Sequence, residues 1–126
     1  MNALFLVYLV AEAIFGIGFL FFPDLMMGPM GVTLDDTAAN FARMFGSLII
    51  SIPFLMFFVR RSTNPEFRKG VIYCVLVYLF TSTIVLLTAQ LKGMMNSLGW
   101  GIVFIHVAFF LWFGYYALPV RKPATV

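Results

Sequence analysis

The chain has 126 residues, of which 63% are hydrophobic and only 10% charged, with a formal net charge of +3. A soluble domain of this length cannot hide so much apolar surface, sixteen Phe included, so the composition excludes one and makes lipid the solvent. The modest positive charge is a membrane-topology signal and argues against a nucleic-acid partner.

Four stretches come close to the roughly 20 residues that a hydrocarbon core requires: about 3–22, 37–59, 70–91 and 98–118. Continuous apolar runs of this length satisfy their backbone groups in lipid only as helices. The expected fold is therefore a single all-α domain over residues 1–126, an antiparallel four-helix transmembrane bundle with short connections. No internal repeat is visible, and the polar residues of the two halves differ in kind and spacing.

The first span has no basic n-region, carries Glu12 at its centre and lacks a small-residue cleavage site. It reads as a mature helix and not as a signal peptide. Its connection to the second span, Pro23 to Val32, is apolar but broken by Pro and Gly, which suits a segment lying on the membrane surface. Asp35 or Asp36 then caps the second helix, where a carboxylate meets free amides and the helix dipole. Pro53 removes a hydrogen bond further along and frees the Ile49 carbonyl, so a kink is expected there.

Between the second and third spans, Arg60, Arg61, Arg68 and Lys69 form a basic hairpin punctuated by Pro65 and Gly70. With Arg121 and Lys122 after the fourth span, they place both termini and this loop on the cytoplasmic side, most simply of a bacterial inner membrane. Asp24, Asp35, Asp36 and Lys92 fall on the other side. Trp100, Tyr73, Tyr115 and Tyr116 sit at the expected interfaces. The single Cys, Cys74, excludes an internal disulfide and reads as a small buried hydrophobe.

Helical spacing sorts the intramembrane polar residues into stripes. Tyr8, Glu12, Gly16 and Phe19 align on the first span; Asn40, Arg43, Ser47 and Ser51 align on the second. Cys74, Tyr78, Thr81, Thr88 and Lys92 form a stripe on the third, and Gly99, His106, Phe110, Phe113 and Ala117 on the fourth. A bundle in lipid turns such stripes inward. Counted at about 1.5 Å per residue, Arg43 and His106 lie roughly 10 Å below the outer surface, with Glu12 near mid-membrane.

The expectation is thus an outer-half polar cluster of Glu12, Arg43 and His106, with Asn40, Ser47, Tyr78, Thr81 and Thr88 around it, and with Glu12 and Arg43 as an ion pair. Intramembrane ionisable groups rarely go unpaired and mark functional sites by default. Such a cluster can be structural glue. It can be a ligand pocket in which Arg43 meets an anionic head group and Phe-rich walls hold a tail. It can also be an acid–base pair of Glu12 and His106 acting on a lipid or isoprenoid. Met26, Met27, Met30, Met94 and Met95 fall on the outer side above His106, a weak Cu(I)-type metal pattern that is equally ordinary apolar filler. The residues identify no cofactor. Gly16 and Gly18 make no GxxxG pair for dimerisation.

Ala42-Arg43-Met44-Phe45-Gly46 follows a connection containing Val32-Thr33-Leu34. Together they resemble the V-T-L … A-R-x-F-G pattern of the ergosterol-biosynthesis scaffold family, small four-helix membrane proteins that tether sterol enzymes. The region is also similar to small bacterial four-helix families that include DoxX-like proteins. The likeness is local: the scaffold family's His-Phe and Glu signature in the third span is replaced here by the run from Thr81 to Gln90. It implies packing roles for Arg43, Phe45 and Gly46 and an accessory function. The reading is a non-enzymatic scaffold subunit that holds a lipid-like molecule, with a membrane-protein partner or a second copy of itself. A small lipid-modifying enzyme and an oligomeric transporter are the rivals.

Overall fold

A computed structural model describes residues 1–118. Every regular element among them is helical: α1 (Asn2–Phe21), α2 (Pro23–Met27), a short 3-10 turn (Gly28–Met30), α3 (Asp36–Ile49), α4 (Ser51–Arg61), α5 (Pro65–Leu91) and α6 (Gly99–Ala117). Four helices are long and apolar enough to cross a membrane, α3 and α4 counting as one path from Asp36 to Arg61. At 1.5 Å per residue they run about 28 to 40 Å. Arg121 and Lys122, used above for topology, lie outside the described residues.

Local chemistry explains the boundaries. The Asp35 side chain accepts from the Ala38 amide at 2.7 Å and starts α3. Such a cap contributes about 1 kcal/mol. The path from α3 to α4 breaks at Ile50, three residues before buried Pro53, as the missing Pro amide requires. Ser51 donates to the Leu48 carbonyl at 2.7 Å beside that break.

The third long helix differs from expectation. It begins at Pro65 and not at Gly70, so Arg68 and Lys69 are helical. Asn64 caps it, accepting from the Glu66 and Phe67 amides at 3.0 and 3.2 Å, and Pro65 takes the first position, where its lack of N–H costs nothing. Those two signals outweigh the roughly 1 kcal/mol cost of Gly70 inside a helix.

The bundle is built from two hairpins. α1 packs along α3 and α4, and α5 packs along α6. They converge at the end that carries the N-terminus, where Leu4, Phe5 and Tyr8 meet Met56, Val59, Ile72, Val75, Leu79 and Phe113 in one buried core. Tyr8 stacks edge-on against Phe109 at 4.9 Å and Phe113 at 5.0 Å. At this same end Arg68 donates to Asn2 Oδ1 at 2.7 Å, tying α5 to α1.

At the far end, Asn96 joins the two remaining connections. Its amide donates to the Met30 carbonyl at 2.8 Å and its Nδ2 to the Pro29 carbonyl at 2.9 Å. Between these two ends the hairpins part. α3 packs on α1 and makes no extensive contact with α5 or α6 among the described residues.

Candidate functional site

The parted hairpins enclose a cavity of about 670 Å³. Phe15, Phe19, Phe41, Phe45, Leu48 and Val85 are among its apolar walls, and Met27, Met30, Leu34 and Met95 close the far end. Ala11, Ala38 and Ala42 also line it, and their short side chains leave the space open. Its polar residues are Glu12 from α1, Tyr78, Thr81 and Ser82 from α5, and His106 from α6. All five stand near the middle of their helices and form a floor directly above the Tyr8–Phe109–Phe113 cluster.

The cavity opens sideways. Phe41, Phe45 and Leu48 on α3 and Val85 on α5 line it while remaining 42–68% exposed on the outside of the bundle. An apolar slot between α3 and α5 therefore leads from the exterior to the polar floor.

Glu12 is 7% exposed, and among the described residues its carboxyl group is in no ion pair. The buried Tyr8 hydroxyl stands beside it one turn nearer the N-terminus, and Glu12 is the acceptor next to it. The Tyr78 and His106 rings face each other with centroids 6.5 Å apart. His106 Nδ1 lies 2.9 Å from the Ile102 carbonyl on its own helix. Thr81 Oγ1 donates to the Val77 carbonyl at 2.9 Å and Ser82 Oγ to the Tyr78 carbonyl at 2.7 Å.

The expected cluster is thus divided. Glu12, Tyr78, Thr81 and His106 share the cavity, whereas Arg43, Asn40, Ser47 and Thr88 are exposed and do not line it. The Glu12–Arg43 ion pair is not formed, and the reason is the direction α3 presents to α1. Gly46 meets the α1 backbone so closely that a Cβ there would stand 2.8 Å from the Phe19 carbonyl carbon. Gly16 in turn leaves only 3.0 Å between such an atom and the Ile50 amide. Seating the Gly46 face on α1 directs Ala38, Phe45 and Leu48 into the cavity and swings the Asn40–Arg43–Ser47 stripe to the opposite side.

Two other expectations change. Cys74 is exposed on the outside of α5 and is not a buried hydrophobe. The methionines do not converge: Met27, Met30 and Met95 reach the cavity, but Met26 packs against Gly18 and Met94 is 63% exposed. Among the described residues no three His, Cys, Asp or Glu side chains gather as metal ligands. Ser82 was missed as a site residue, although it neighbours Thr81 and follows Tyr78 by one helical turn.

The model of the family described as domain of unknown function DUF8292 matches residues 6–122. The chain belongs to that family. The match spans nearly the whole chain and so takes in every cavity-lining residue. No curated protein and no solved structure matches the chain.

Proposed function

We propose that this DUF8292 member is an integral membrane protein that holds one lipid-like molecule between its hairpins and serves as a non-enzymatic accessory or scaffold subunit. The observation that carries this reading is the laterally open cavity, apolar along its walls and polar only at its floor. Its volume falls within the roughly 300–1,000 Å³ typical of small-molecule sites. The exterior supports membrane insertion, because large apolar side chains such as Ile14, Phe54, Val77, Phe104 and Leu111 are half to nearly three-quarters exposed along all four long helices. Arg60, Arg61, Arg68 and Lys69 gather at the end carrying the N-terminus, which favours a cytoplasmic N-terminus by the positive-inside rule. The likeness of residues 42–46 to the scaffold family favours the accessory role over a catalytic one.

Glu12 and His106 line one cavity with Tyr78, and that arrangement supports a second reading, a small enzyme performing acid–base chemistry on a bound lipid. Purification from native membranes in a mild medium, followed by mass spectrometry of what co-elutes, separates the two. One retained lipid together with a stoichiometric membrane-protein partner is the expected result. Retention of two lipids differing by an isomerisation or hydration, with their ratio altered by Glu12→Gln, would establish the enzyme instead.

A further inference from the structure

The polar floor of the cavity is rich in acceptors and poor in donors. A carbonyl oxygen can only accept, so the 2.9 Å contact between His106 Nδ1 and the Ile102 carbonyl puts the ring proton on Nδ1. The neutral ring then offers Nε2 as a bare acceptor. Thr81 and Ser82 have committed their hydroxyl protons to the carbonyls of Val77 and Tyr78 at 2.9 and 2.7 Å, which leaves only their lone pairs to the cavity. Glu12 adds a carboxyl group that is 93% buried by its 7% exposure and faces the cavity, with the Tyr8 hydroxyl beneath it able to occupy one of its lone pairs and leave the others to the cavity. Of the lining side chains only Tyr78 has a hydroxyl proton not already committed to the helix backbone. Among the described residues no cation compensates, because Arg43 lies on the far side of α3 and neither Lys nor Arg lines the space.

A buried acceptor left without a donor costs about 1–3 kcal/mol, and more when it is charged. The occupant must therefore bring the donors that the floor lacks. We infer that the cavity selects amphiphiles whose single polar end is a hydrogen-bond donor, an ammonium or a hydroxyl, seated on Glu12, Ser82 and His106 with the apolar part leaving through the slot between α3 and α5. A carboxylate-headed or phosphate-headed amphiphile would place acceptors against acceptors and is rejected. That reverses the anionic head group expected when Arg43 was placed in the site. The inference rests on the reading of the cavity as a lipid site and specifies what that site takes.

The test uses the full chain in phosphatidylcholine nanodiscs, titrated with dodecylamine, dodecanol or dodecanoate, with bound amphiphile counted by native mass spectrometry. Ala42→Trp, which fills the cavity from α3, is the blocking control. The amine and the alcohol are expected to bind once per chain and to be lost in Ala42→Trp, with dodecanoate at least about tenfold weaker, as expected for a mismatched charged group. Glu12→Gln weakens the amine about tenfold or more if the preferred head is an ammonium, and weakens amine and alcohol alike if it is a hydroxyl. Should Glu12→Gln fail to fold, Thr81→Ala and Ser82→Ala each remove one acceptor and are expected to weaken binding a few-fold, about threefold or more. Dodecanoate binding as tightly as dodecylamine would overturn the donor-head inference while leaving the pocket intact. Failure of all three probes to bind in a way that Ala42→Trp abolishes would overturn the lipid-site reading itself.

Discussion

Gly46 lies against the Gly16 carbonyl oxygen so closely that a methyl group added at position 46 would stand 3.0 Å from it. This glycine-to-glycine crossing sets the direction of α3 and, through it, which side chains the cavity receives.

Gly46→Val is therefore expected to destabilise the protein by at least about 1–3 kcal/mol, because the clash is with backbone that cannot give way. Gly101, on α6, has nothing within 4 Å of the equivalent position. Gly101→Ala is expected to be neutral or to stabilise by about 0.5–1 kcal/mol through helix propensity. Thermal unfolding of both variants in one detergent checks the contrast, and equal effects would refute the close-packing account.

Arg43→Leu tests the reassignment of that residue. It is exposed and outside the cavity, so the change is expected to shift stability by no more than about 0.5 kcal/mol and to leave lipid retention unaltered. A clear loss of retained lipid would return Arg43 to the site.

Asn96→Ala removes the side-chain bond to the Pro29 carbonyl and the one that Asn96 Oδ1 accepts from the Leu98 amide at 2.9 Å. A cost of about 1–2 kcal/mol follows from two lost hydrogen bonds. Hydrogen exchange is the sensitive probe: amides from Gly31 to Leu34 are expected to exchange faster, while those around Leu79 are unchanged. Uniform acceleration in both regions would mean that Asn96 holds the whole fold and not its far end alone.

Cys74 reports on the environment of the outer surface. As an exposed side chain on a long apolar helix, it is expected to react with a lipid-soluble maleimide in native membranes and to resist a charged, membrane-impermeant one. Rapid labelling by the charged reagent would show that this face of α5 is wetted, contrary to membrane insertion.

Much of the architecture was legible in the residues. Run length located the four long helices, Asp35 announced its cap, and Pro53 marked the break that falls at Ile50. Glu12, Tyr78, Thr81 and His106 were legible as inward-facing because each shares a helical stripe with other polar or small residues. The direction of α3 was not. Its polar stripe at Asn40, Arg43 and Ser47 and its small-residue face at Ala39 and Gly46 point different ways, and in lipid close backbone packing can outrank the tendency to turn polar groups inward. The cavity was illegible for a related reason: a void between hairpins depends on how far they splay, and no spacing of residues along one helix encodes that distance.

The aromatic cluster of Phe5, Tyr8, Phe109 and Phe113 beneath the polar floor has a consequence for traffic. Those packed rings close the cavity toward the N-terminal end, so a molecule reaches the polar floor from the flank of the bundle and not along its axis. On the proposed membrane placement, that flank lies in the half of the bilayer away from the N-terminus, and an occupant would enter from there.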